Sequence, residues 1–276
     1  MITLGPISKE ISKKDVIDNI DISINDFAFV SGSLIEGQGN DKSDLDVFVV
    51  VQDIRKLADK SNIAYNQEHI KTAFTKINGI GCDIEYWSEP IVKRLLENIN
   101  EINFADTTIR SFNQLDIENI SLNDLTSFIH RFITSQSIYN DELYELYKKD
   151  INKTNYFKLL VRMNVNIIDN SLEDVIGNYN KGEYETALII IKNILIKALC
   201  IYLYSNEISL DREKWAYIKL KTLSETDMEA KRILSEFKNI YFYSNVREQE
   251  FNSLCEMGIT FVNKLIRIAG KKLGGY

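Results

Sequence analysis

The chain is poor in the residues that interrupt or staple a fold. Its 276 residues include two prolines, Pro6 and Pro90, and 12 glycines. With so few breaks, helices should dominate. The three cysteines, Cys82, Cys200 and Cys255, are odd in number and far apart, and no C-x-x-C occurs. That pattern argues against a disulfide framework or a cysteine-type zinc site. It favours reduced thiols as core filler in a cytoplasmic protein. The two histidines, His69 and His130, fall within helical patterns, and no third ligand is spaced with them for zinc. Each is expected to be structural or at the surface. Positive charge is also in deficit: the net charge is −7 and the pI is near 5.1. Such a chain has no general attraction for nucleic acid or anionic membranes. No apolar signal core opens the sequence, because Lys9, Glu10, Lys13, Lys14 and Asp15 come early. The most hydrophobic run, residues 187–204, is interrupted by Lys192, Asn193 and Lys197. It reads as a buried helix, so no membrane partner is expected.

What is present is ordinary globular material, 45% hydrophobic and 26% charged, in a length that suits two domains. Residues 8–24 carry Ile11, Val16, Ile17 and Ile20 among charges and predict a short helix. Residues 27–30 are an apolar strand. Residues 66–77 have helical spacing through Ile70, Ala73, Phe74 and Ile77, ended by Gly79 and Gly81. Residues 82–87 alternate acid and apolar and predict a strand, followed at Pro90 by a helix with Val92, Leu95 and Leu96. From Ser121 onward there is almost no strand signal. Ser121 and Asp124 resemble a capping box, and helices are predicted over 141–149, 155–178, 182–205, 211–221, 226–243 and 246–272. The expected architecture is α+β: a mixed sheet with helices over 1–115, then a helical bundle over 116–276.

The chemistry concentrates between residues 30 and 50. A strand ends at Val30, a small-residue turn follows at Gly32-Ser33, and a glycine-rich polar loop leads to Asp44-Leu45-Asp46 on a β-branched strand. Side chains alternate along a strand, so Asp44 and Asp46 share a face with Cα atoms roughly 6–7 Å apart. Asp83 and Glu85 share a face for the same reason. If the two strands pair, a third carboxylate joins the first two. Three carboxylates suit a pair of Mg²⁺ ions about 3.5–4 Å apart. Gly32 would let the backbone approach a phosphate, and Ser33 would donate its hydroxyl and N–H.

Gly32-Ser33, a ten-residue loop and Asp44-Leu45-Asp46 resemble the signature of the DNA-polymerase-β-type nucleotidyltransferase superfamily. The fuller wording over residues 28–50 is similar to its small bacterial members, including antibiotic (aminoglycoside) nucleotidyltransferases. The resemblance implies transfer of a nucleoside monophosphate, expected to be AMP from ATP, with release of pyrophosphate. It implies Gly32 and Ser33 as phosphate binders and Asp44 and Asp46 as metal ligands. A third acid would be ligand and base, with Asp83 favoured and Glu85 the competitor. The helical half is similar to the domain that follows the catalytic one in kanamycin-type and streptomycin-type enzymes. By that analogy Lys214 is a phosphate-binding candidate. Tyr241 and Tyr243, in an aromatic run before Arg247, offer rings that could stack or bond a base, but the expected reading is that they are core and rim aromatics.

The expected function is thus Mg²⁺-dependent nucleotidyl transfer to a hydroxyl of a small, aminoglycoside-like molecule held between the two halves. Two alternatives stand beside it. One is a macromolecular acceptor, a tRNA end or a protein hydroxyl, as in toxin-like members of the superfamily. The other is a non-catalytic, antitoxin-like interaction protein.

Overall fold

In the computed structural model, which describes residues 1–57, 63–106, 111–243, 247 and 250–275, the chain forms two compact units. The first comprises Met1–Ile102 and Asn113–Asn152. The second comprises Asn103–Phe112 and Lys153–Tyr276. The predicted division after residue 115 therefore falls inside the first unit.

The first unit opens with a small hairpin, β1 (Ile2–Leu4) on β2 (Lys9–Ile11), and a one-turn helix α1 (Lys13–Ile17). The single helix predicted over 8–24 is thus replaced by a strand and a short helix. Ser12 explains the break, because its side chain accepts the Asp15 N–H and starts the helix there. The main sheet follows from β3 (Phe27–Ser31), β4 (Leu45–Val51), β5 (Ile63–Asn66), β6 (Ile70–Ile77), β7 (Ile80–Ser88) and β8 (Gln136–Tyr139). Its order is β5-β6-β7-β4-β3-β8, with β4 and β7 parallel and every other pair antiparallel.

Two parts of this sheet depart from the sequence reading. Residues 66–77, predicted helical, contain strand β6, and His69 lies in the turn before it. Ile70, Ala73 and Ile77 satisfy a helical period, but Phe74 is 52% exposed and belongs to no helical core stripe. The deciding element is the two-residue turn Asn78-Gly79, with φ of 52° and 77°, which closes β6 on β7 as a hairpin. Positive φ at both positions is the hairpin geometry that Asn-Gly favours. Strand β8 was also unpredicted. Its four residues are too few to show an alternation, and it exists through pairing with β3.

The two faces of the sheet differ in chemistry. Ala28, Val30, Leu45, Val47, Val49 and Ile84 build an aliphatic face with Ile2, Leu4, Ile11 and Val16. The opposite face carries Phe27, Phe29 and Phe48, met by Phe128 and Phe132 of α3 (Leu122–Ile133) and by Tyr144 and Tyr147 of α4 (Asp141–Lys149). Helix α2 (Glu89–Glu101) begins with Pro90 in its first turn, where a missing N–H costs nothing. Ser121 caps α3 by accepting the Asp124 N–H at 3.1 Å, and its hydroxyl donates to the Asp124 carboxylate at 2.7 Å.

The second unit is helical, with α5 (Lys153–Asn180), α6 (Tyr184–Tyr204), α7 (Ala216–Leu223), α8 (Met228–Tyr241) and α9 (Phe251–Leu273). All five predicted segments return, although the first residues of the predicted 246–272 segment lie outside the described residues. Helix α6 is long and apolar enough to cross a membrane. Its apolarity is accounted for by packing against α5 and α9, with Ile191, Leu195, Leu199 and Leu203 fully buried. Gly258 of α9 permits a close approach to α6, since a Cβ there would stand 2.3 Å from Ile191 Cγ2. Gly258→Val should therefore lower stability by about 1–3 kcal/mol, read as a lower melting temperature, despite the better helix propensity of valine over glycine.

Candidate active site

The acidic face is fixed by register. In the parallel pair, Asp46 lies opposite Asp83 and Phe48 opposite Glu85. Partners in register project to the same side, so Asp46, Asp83 and Glu85 all stand on the aromatic face. Asp44 precedes β4 by one residue, opposite Gly81. A Cβ at Gly81 would fall 1.9 Å from Asp44 Oδ1, so this carboxylate lies directly on the β7 backbone. Across the other edge of β4, Ser31 pairs with Asp46, and β3 then ends in the Gly32-Ser33 turn.

Gly32 is required by its position. Its φ is 88°, a conformation that side chains rarely adopt, and a Cβ would stand 1.7 Å from Asp46 Oδ2. The turn behind it is tight. The N–H groups of Ile35 and Glu36 donate to the Gly32 carbonyl, and those of Gln38 and Gly39 to the Ser33 carbonyl. Ser33 is half-buried at the start of this turn. The sequence-predicted residues Gly32, Ser33, Asp44, Asp46 and Asp83 are thus brought together at one end of the β3–β4–β7 triple. Glu85 lies one step further along β7, where its carboxylate accepts the Trp87 indole N–H at 3.0 Å. The register therefore sets Asp83, not Glu85, beside the Asp44–Asp46 pair.

Helix α3 supplies three partners that the sequence did not single out for the site. Arg131 Nη1 is 2.5 Å from Asp46 Oδ2, with both side chains largely buried. Its guanidinium lies 5.9 Å from the Phe48 ring. His130 is buried, not at the surface, and its Nε2 is 3.0 Å from Glu36 Oε1. Thr134 Oγ1 is 3.2 Å from Ser31 Oγ. The helix is thereby tied to the strand before the Gly32-Ser33 turn and to the loop after it. The available signal for Arg131 was its spacing three residues after Phe128, at the edge of the buried stripe.

Electrostatics follow from this crowding. Burial raises the Asp83 carboxyl above the usual range, the Asp44 charge raises it further, and Arg131 opposes both. Burial also raises Glu85, against the Trp87 hydrogen bond and the Arg131 charge. A divalent cation would relieve this repulsion. Among the described residues, no group of three His, Cys, Asp or Glu side chains forms a metal cage by itself. Magnesium, however, usually takes one or two carboxylates together with substrate phosphate oxygens and water. The hard oxygen donors of Asp44 and Asp46 beside the Gly32-Ser33 turn fit that kind of site.

Lys214 belongs to the second unit. It lines a cavity of about 550 Å³ with Lys197, Tyr217, Tyr241 and Phe242, and its ammonium lies 4.8 Å from the Trp215 ring. Tyr243 is half-exposed beyond the end of α8.

No protein-family model matches the chain, and no curated protein matches it. Among solved structures, a nucleotidyltransferase-like protein from Exiguobacterium sibiricum 255-15 is similar at 13% identity, with a TM-score of 0.47. The match covers 90% of this chain and 71% of that one.

Two outcomes are expected from this geometry. Gly32→Ala should cost about 1–3 kcal/mol of stability through strain at positive φ, and it should displace the Asp46 carboxylate. A melting curve reads the first effect, and the position of the Asp46 side chain in a crystal structure of the variant reads the second. Asp83→Asn should act through pH. A carboxyl that keeps its proton in the fold gives the native state more bound protons than the unfolded chain, so stability falls as pH rises from about 4 through the raised folded value. In EDTA, Asp83→Asn should therefore melt higher than the wild-type protein at pH 7, and the difference should shrink toward pH 4.

Proposed function

We propose that the chain is a nucleotidyltransferase that moves a nucleoside monophosphate from a nucleoside triphosphate, ATP first among them, to an acceptor hydroxyl. The observation that carries this reading is the placement of Asp46 between Asp83 on the neighbouring parallel strand and Gly32 at the adjoining turn. Carboxylates beside a glycine-serine turn give metal ligands and phosphate donors in one place. Asp44 and Asp46 would hold a Mg²⁺ that arrives with the triphosphate. When bound, that ion would withdraw charge from the phosphate oxygens.

The chain's own groups then have separate tasks. The Gly32 backbone admits the phosphates closely, and Ser33 donates to their oxygens. Asp83 has raised proton affinity, which suits a group that takes the proton of the attacking hydroxyl. The acceptor oxygen forms its bond to the α-phosphorus while the α–β bridging bond breaks, and pyrophosphate leaves with that electron pair. A small hydroxylated acceptor, such as an aminoglycoside-like compound, is the class we favour. The net charge of −7 is compatible with a cationic one.

The test uses α-labelled nucleoside triphosphates with Mg²⁺ and separate panels of small hydroxyl compounds, RNA and protein. Label should pass to the small-molecule panel, and EDTA should abolish transfer. Asp46→Asn should reduce transfer by about 10²–10³-fold, the scale of losing one preorganised electrostatic contact, with the melting curve still cooperative. Undiminished transfer by this variant would sink the assignment.

A further inference from the structure

Resting on the nucleotidyl-transfer reading, we infer that Arg131 is a positioning residue that trades partners: it holds Asp46 while the site is empty of nucleotide and passes to a phosphate oxygen when metal and triphosphate bind. Three observations carry this. First, Arg131 stands where an incoming cation would bind, with its guanidinium 2.5 Å from Asp46 Oδ2. A metal ion that takes Asp46 as a ligand must compete with that ion pair. Second, the guanidinium is already at the phosphate side of the site. A Cβ on Gly32 would meet Asp46 Oδ2 at 1.7 Å and Arg131 Nη1 at 2.8 Å. Both charged groups therefore lie against the backbone of the turn assigned to phosphate. Third, the helix that carries Arg131 is anchored on either side of that turn, by Thr134 to Ser31 and by His130 to Glu36. A change of partner then needs rotation of one side chain and no movement of the helix.

Charge balance gives the exchange its direction. One guanidinium pairs with Asp46 and its charge also reaches Asp83 and Glu85, with Asp44 nearby on the β7 backbone, so the pocket stays negative with Arg131 in place. A divalent ion taking over Asp46 neutralises more of that charge. It also brings phosphate, to which arginine offers a planar fork of N–H donors. The pair with Asp46 thus keeps the carboxylate positioned before the substrate arrives, and its release supplies a phosphate contact afterwards.

The exchange is testable by binding, independently of turnover. Mn²⁺ is titrated into the full chain without nucleotide, following the free-ion EPR signal, for wild type, Arg131→Gln and the double variant Asp46→Asn/Arg131→Gln. Removing the competitor should tighten Mn²⁺ binding about tenfold in Arg131→Gln, a usual coupling between two ligands of one site. The double variant should lose that gain. ATP binding, measured with Mn²⁺ at saturation, should weaken about tenfold in Arg131→Gln. Arg131→Lys, which keeps the charge without the fork, serves if the glutamine variant does not fold. It should bind Mn²⁺ no more tightly than wild type and still lose ATP affinity. Mn²⁺ affinity in Arg131→Gln equal to or below wild type overturns the inference, and so does unchanged ATP affinity in either variant. The nucleotidyl-transfer reading fails differently, through a wild-type protein that binds ATP and Mn²⁺ yet moves no label.

Discussion

Charge crowded at the end of one parallel strand pair is the constraint on which the site depends. Pairing β4 with β7 in parallel brings Asp46 beside Asp83, and the Asp44–Gly81 contact adds a further carboxylate at the same end. Like charges so placed repel, and partial burial strengthens the repulsion. The fold meets this with Arg131, and every feature around that arginine serves to place it. Phe128 and Phe132 pack α3 onto the sheet, Ser121 caps its start, and two side-chain bonds tie its C-terminal end, one to strand β3 and one to the loop after the turn. An ion pair of this kind adds little net stability, because desolvating both partners costs nearly what their attraction returns. Its value lies in fixing where the acidic side chains stand.

Much of this was legible in the sequence, and the reasons are local. Alternation along a strand needs only neighbouring residues, so the shared faces of Asp44 with Asp46 and of Asp83 with Glu85 followed directly. The turn at Gly32-Ser33 was readable because glycine, free to adopt positive φ, marks a turn where it follows an apolar strand. The long helices of the second unit were readable for a similar reason, since their periodicity extends over many turns.

What was not legible depends on contacts between distant residues. Which of Asp83 and Glu85 stands opposite Asp46 follows from inter-strand register, which no local pattern encodes. Strand β8 exists because β3 offers an edge to it. Over residues 70–77 a helical period and a strand fitted the same apolar residues. The choice rests on Asn78-Gly79, a turn signal that outweighed the spacing of Ile70, Ala73 and Ile77. Arg131 was hidden because a charged residue on an amphipathic helix ordinarily faces water. Only the tertiary placement of α3 turns it toward the acids.

The division of the sheet into two chemistries links stability to the site. The aliphatic face, with its hairpin and short helix, is buried for packing alone. The aromatic face does two things at once. Phe29 stacks on Phe48 at 5.1 Å, and Trp87 packs against Phe128 at 4.4 Å, so its interior is dry. The acids stand at the rim of that dry layer, with Asp46 two residues before Phe48 and Glu85 two before Trp87. A carboxylate over an apolar floor has fewer waters to screen it and feels its neighbours more strongly. The rings that hold the sheet to its helices therefore also sharpen the need for positive charge at the rim, where Arg131 stands.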